Sequence, residues 1–118
     1  MDNDFSKNLK IKMDEYVHFV YRITKNFPKE EMYGTTSQLR RSALSVILNY
    51  IEGFARQKKA VKRNFWETSY GSLKESKYLL HFTLREEYYD KKDYDEISKL
   101  ADEIGAMLWK SIESIREC

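Results

Sequence analysis

The 118-residue sequence predicts an all-α protein: one antiparallel up-down-up-down four-helix bundle, a single domain over residues 1–118. Three observations carry that prediction. Four segments repeat apolar residues three or four positions apart, the spacing of one helix face. The links between them are short, and short links make neighbouring helices antiparallel. With 4 Gly and 1 Pro, the chain is too poor in turn residues for an all-β fold.

The first helix is expected over about 9–26. Leu9, Met13, Tyr16, Val20, Ile23 and Phe27 share its inner face. Phe27-Pro28 stops it, because the residue before proline is pushed out of the α region, and Gly34 frees the turn. The second helix is expected over about 37–56, with Thr35 and Gln38 as a capping box. Leu39, Ala43, Val46 and Tyr50 form one apolar stripe, and Leu44, Ile47, Leu48, Ile51 and Ala55 form another beside it. Together they cover roughly 200° of circumference, about twice what a small monomeric bundle requires. The remaining arc is polar: Arg41, Ser45, Asn49, Glu52 and Arg56.

The third helix is expected over about 64–88, capped by Asn64 with Glu67 as its partner. Trp66, Ser69, Tyr70, Leu73, Leu80 and Leu84 form its core stripe, and Gly71, Tyr78, Phe82 and Tyr89 a second one. The fourth is expected over about 94–116, after Asp93, with Ile97, Ala101, Ile104, Leu108 and Ile115 inward. No repeat or linker interrupts the chain. The surplus apolar faces predict self-association, with Leu44, Leu48, Ile51, Tyr78 and Phe82 at the interface between copies. The alternative is an irregular bundle in which those faces meet one another.

Cys118 is the single cysteine, so no intrachain disulfide forms and a reducing cytoplasm is expected. The acidic start Met-Asp-Asn-Asp-Phe has no apolar core, so no signal peptide is expected. No apolar run approaches the ~18 residues of a membrane span, and no membrane partner is expected.

The net charge of +2 hides a segregation. Thr36–Arg63 holds seven bases against one acid, and Glu86–Cys118 holds ten acids against five bases. Arg40, Arg41, Arg56, Lys58, Lys59, Lys62 and Arg63 are the candidate nucleic-acid contacts, for RNA or DNA. Cations neutralise phosphates and release counterions, and flanking aromatics (here Phe54, Phe65 and Trp66) can stack on unpaired bases. The plain alternative is a solvated turn over core aromatics, with Trp66 on the core stripe. A partner protein, held by the acidic fourth helix or by the Tyr78/Phe82/Tyr89 stripe, is the other expectation.

No catalytic residue, metal ligand or cofactor is predicted. Glu15 and His18 have the spacing that di-iron bundles use, but such sites need a second pair, and Tyr78 stands where His81 would need its Glu. Nothing resembles a phosphate-binding Gly loop, a zinc ligand set or a nucleophile triad. Asn49 and Glu52, with Arg41 and Arg56, read either as an internal polar network fixing helix register or as the lining of a polar groove.

Ser37-Gln38-Leu39-Arg40-Arg41-Ser42-Ala43-Leu44-Ser45, followed by Asn49 and Glu52-Gly53, resembles the four-helix-bundle family encoded by intervening sequences in bacterial 23S rRNA genes. Phe27-Pro28, Glu31-x-Tyr33-Gly34 and Gly71-Ser72-Leu73-x-Glu75 add to the likeness, which covers about Tyr16 to Ile115. The resemblance implies a bacterial, cytoplasmic homopentamer of a family for which no catalytic activity is established. It also implies kinship with the accessory protein of diversity-generating retroelements, a basic pentamer that binds nucleic acid and a reverse transcriptase. The matching positions are Arg40, Arg41, Asn49, Glu52 and Gly53, plus the basic turn. Where the family usually reads Ser-Ile-Pro-x-Asn-Ile-Ala-Glu-Gly, this chain reads Ser45 to Gly53 with Ile47 in place of proline, so the usual kink is expected to be absent.

Overall fold

Helix α1, Asp4–Thr24, begins with a reciprocal capping box. The Asn3 side chain accepts from the Ser6 N–H at 2.9 Å, and Ser6 Oγ accepts from the Asn3 N–H at 3.1 Å. This satisfies two orphan donors and starts the helix five residues ahead of the expected boundary. The computed structural model describes residues 3–116. After α1, Phe27 turns into the core and Pro28 precedes a single 3-10 turn, Lys29–Glu31.

Helix α2, Thr35–Phe54, has Gly34 at its N-cap and no capping side chain of its own. The expected Thr35/Gln38 box is replaced by Glu31, whose Oε1 accepts from the Thr35 N–H at 3.2 Å and from the Thr35 hydroxyl at 2.6 Å. Helix α3, Lys59–Arg85, also starts five residues early, so Asn64 and Glu67 lie inside it rather than capping it. It ends in a Schellman turn: Tyr88 N–H reaches Thr83 O at 3.0 Å and Glu87 N–H reaches Leu84 O at 2.9 Å. That turn holds Glu87 at φ 63°, a conformation usually left to glycine. Helix α4, Lys91–Ser114, starts at an Asp90 cap that accepts from the Asp93 N–H at 2.9 Å.

Side-chain pairs show each neighbour running antiparallel. Between α2 and α3, Val46 meets Ser69 while the later Tyr50 meets the earlier Trp66. Between α3 and α4, Tyr70 packs on Trp109 and Lys77 pairs with Asp102. Helix α1 lies against both α2 and α4. The predicted inner stripes of α1 and α4 are buried, apart from the half-buried Ile115, and Ile112 joins them. At the centre the Tyr16 hydroxyl meets Ser76 Oγ at 2.7 Å. Ser76 gives its own hydrogen to Leu73 O, so Tyr16 is the donor, and burial pushes its phenol well above the usual tyrosine range.

The α2–α3 seam is built from small and hydroxyl residues. Ser69 Oγ donates to Val46 O at 2.6 Å, and Ser45 Oγ meets Ser72 Oγ at 2.7 Å. The Trp66 indole donates to Tyr50 O at 3.1 Å and stacks on the Tyr50 ring with centroids 5.2 Å apart. Gly53 makes this possible: a Cβ there would lie 2.6 Å from Trp66 Cδ1 and 3.0 Å from Lys62 O. Gly71, on the outer side of α3, has nothing within 4 Å of the corresponding position.

Two predictions follow from these contacts. Gly53→Ala should destabilise the fold by about 1–3 kcal/mol through overpacking. Gly71→Ala should be neutral or stabilising by up to about 1 kcal/mol, since it removes only glycine's backbone entropy. Urea denaturation of the two variants, each at matched protein concentration, checks the contrast. The bonds from Thr35 hold the Glu31 carboxyl below the usual carboxylate range. Its contribution is therefore present above the unfolded value of about pH 4.3 and fades as pH falls through the lower folded one. Glu31→Gln, whose amide oxygen still accepts but does not titrate, should show a shallower acid limb in pH-dependent thermal melts.

Candidate nucleic-acid interface

The turn between α2 and α3 is cationic for a reason the helix boundaries reveal. Lys58 is the N-cap of α3, Lys59 its first residue, and Lys62 and Arg63 complete its first turns. No acid stands in that first turn and no side chain caps it. A helix start carries the positive end of the macrodipole, where each added cation costs about 0.3–1 kcal/mol. Exposed peptide donors and the Lys58 and Lys59 ammoniums thus concentrate positive potential at one corner, and neither lysine enters an ion pair among the described residues.

Other cations there are more committed. Arg56 pairs with Glu52 one turn back and lies over the Phe65 ring, 5.3 Å from its centroid. Lys62 Nζ sits 5.4 Å from the ring centroids of both Phe54 and Trp66. Trp66 is 6% exposed, stacked and hydrogen-bonded, so it is a core residue and not a platform for bases. The sequence reading missed two contributors. Lys10 of α1 lies 5.2 Å from the Phe54 centroid, and Lys110 of α4 shares with Lys62 a cavity of about 390 Å³ between the start of α1 and the end of α4. Only antiparallel packing brings these distant positions to one end of the bundle.

Arg40 and Arg41 do not belong to this corner. They lie near the start of α2, roughly 20 Å along the helix from its last residue, Phe54, at 1.5 Å per residue. Arg40 is half-buried: its Nε donates to Thr24 Oγ1 at 2.8 Å and its guanidinium covers the Tyr21 ring at 4.6 Å. Arg41 is exposed.

The expected polar network divides in two. Asn49 Nδ2 donates to Ser45 O at 2.9 Å and to Ser45 Oγ at 2.8 Å, which ties it to the α2–α3 seam through Ser72. Glu52 instead pairs with Arg56 on the surface, and Arg41 joins neither. The cause is helical phase: Asn49 follows Ser45 by one turn, whereas Glu52 points further round toward solvent.

Both surplus apolar stripes face outward. Leu44, Leu48 and Ile51 are 37%, 55% and 47% exposed, and Tyr78 and Phe82 are 62% and 38%. Ile47 is half-buried, and Tyr89 folds back to donate its hydroxyl to Leu80 O at 2.6 Å. The alternative in which the surplus faces meet inside an irregular bundle is therefore not what this chain does.

The family profile described as 23S rRNA-intervening sequence protein matches residues 8–110. The chain belongs to that family. A crystal structure of a protein of unknown function from the S23 ribosomal protein family of Bacteroides thetaiotaomicron has the same fold, with a TM-score of 0.81 and 24% identity. The likeness covers 88% of this chain and 97% of that one. No curated protein matches the chain. Neither description names a reaction.

In this member of the 23S rRNA-intervening sequence protein family, the positions behind the sequence resemblance have distinct structural duties. Gly53 permits the seam, Asn49 links it, and Glu52 holds Arg56. His18 lies on the solvent side, 3.5 Å from Asp14 rather than paired with Glu15. Among the described residues no group of three or more His, Cys, Asp or Glu could hold a metal ion, and no helix is long and apolar enough to cross a membrane. Cys118 lies outside the described residues.

Proposed function

We propose that this protein is a non-enzymatic homo-oligomer, pentameric on the family resemblance, that binds RNA or another nucleic acid through the cationic corner between α2 and α3. The observation that carries this reading is the unopposed positive start of α3. Lys58, Lys59, Lys62 and Arg63 crowd a helix terminus that has no acid in its first turn and no capping side chain, against the electrostatic interest of the helix. The outward Leu44, Leu48 and Ile51 supply the surface on which copies associate, and association multiplies the corner. A cytoplasmic location, which the family resemblance implies, goes with this reading.

A second reading, a scaffold for a partner protein, has one observation in its favour: the Tyr78 and Phe82 rings lie 6.3 Å apart and open to solvent on α3.

Replacing Lys58, Lys59, Lys62 and Arg63 together by Gln should reduce the slope of log affinity against log salt by about three for single-stranded RNA. Fluorescence anisotropy across a salt series reads this, with circular dichroism to confirm that the variant folds. An unchanged slope defeats the nucleic-acid reading and leaves the scaffold. Leu48→Glu should shift the mass measured by sedimentation toward the single copy at micromolar concentration, and a mass unaffected by it removes this stripe from the interface.

A further inference from the structure

The start of α2 forms a second cavity, of about 310 Å³, at the small end of the range for ligand sites. Tyr21, Tyr33, Thr36, Ser37, Arg40 and Arg41 are on its wall. Its polar groups are unusually unspent. Thr36 is 2% exposed, and its Oγ1 is the one buried side-chain polar atom without a hydrogen-bond partner among the described residues. A buried hydroxyl left unpaired is costly, and native proteins seldom keep one without a reason. Helix α2 has no capping side chain of its own. Glu31 takes up the N–H and hydroxyl of Thr35. The N–H groups of Thr36 and Ser37 have no acceptor among the described residues. Such donors at a helix start suit an anion.

The cations are arranged to match. The hold of Thr24 and Tyr21 on Arg40 uses its Nε and one face of the guanidinium, and leaves its two Nη groups without an ion pair among the described residues. A guanidinium fixed in this way gives up little entropy on binding a phosphate, and its fork fits two oxygens at once. Arg41 adds a second, exposed cation. Beside them Tyr33 is 97% exposed, a flat aromatic face with no packing role in the bundle. Stacking on such a face is tolerant of base identity.

We infer that this cavity binds a nucleotide by its 5′-phosphate, with Arg40, Arg41 and the free N–H groups at the start of α2 on the phosphate and Tyr33 against the base. The site is separate from the α2/α3 corner and stands whether or not that corner binds nucleic acid. The phosphate can come from a free mononucleotide or from the 5′ end of an RNA strand, since both present the same group.

Calorimetric titration of the full-length protein with adenosine 5′-monophosphate tests the assignment. The wild type should bind it, and should bind adenosine at least about tenfold more weakly, since charge-assisted bonds carry the contact. Arg41→Gln should weaken binding by about tenfold, while Lys58→Gln/Lys59→Gln leaves it unchanged. Thr36→Val should raise the melting temperature of the ligand-free protein, because it removes an unpaired hydroxyl. A 5′-phosphorylated tetraribonucleotide that binds more tightly than the mononucleotide identifies a strand end as the source, and equal binding identifies the free nucleotide. Absence of binding, equal binding of adenosine, or wild-type affinity in Arg41→Gln overturns the assignment.

Discussion

The close approach of α2 and α3 at Gly53 governs the rest of the structure. Trp66 fills the space that a side chain at position 53 would need, and its indole is spent on the carbonyl of Tyr50. Above that contact the seam continues through Val46 with Ser69 and Ser45 with Ser72, residues small enough to let the helices lie close. Hydrogen bonds from serine to helix carbonyls add direction to what would otherwise be a non-directional apolar contact. The seam therefore fixes the rotation of α2 about its own axis as well as its distance from α3.

That rotation decides which residues are available for function. With Ala43, Val46 and Tyr50 turned inward and Ser45 and Asn49 turned to α3, the bulky Leu44, Leu48 and Ile51 have nowhere to go but out. An apolar stripe of this kind is normal for a surface that meets another copy and uncommon for one that does not. The same rotation carries Arg40 toward α1, where Thr24 and Tyr21 hold it. One helix thus sets the outward apolar stripe, the arginine cavity at its start and the cationic corner at its end.

How much of this was legible in the sequence depends on the range of the forces involved. Buried stripes such as Leu9, Met13, Tyr16 and Val20 were legible because helical periodicity is local. Helix starts were less so. Asn3 with Ser6 does not have the usual Glu or Gln partner, Glu31 caps α2 from outside the helix, and Lys58 begins α3 with no capping signal at all. The end of α3 was hidden because Glu87, not glycine, adopts the left-handed conformation. Ser45 read as part of a polar arc and Ser69 as part of a core stripe, since nothing local says which group on another helix a serine will reach. The candidate site suffered most. Arg40 and Arg41 are near the basic turn in number and far from it in space, whereas Lys10 and Lys110 are far in number and close in space.

Glu86–Cys118, with ten acids against five bases, would repel an approaching anion if those charges stood free, and packing pairs several of them. Asp102 pairs with Lys77, Glu103 with Lys12, Asp95 with Lys91 and Glu113 with Arg116. Exposed pairs like these add little stability, but each places a counter-charge within a few ångströms of an α4 carboxylate and shortens the reach of its field. At physiological salt, fields from charges more than about 8 Å away are largely screened. An anion approaching the corner thus meets the nearby lysines first. The acids of α4 that flank the distant turn at Asp90 and Asp93 lie at the opposite end of a molecule 45 Å long. Packing gathers Lys58, Lys59, Lys62 and Arg63 at the start of α3, and a modest net charge is compatible with one strongly cationic end.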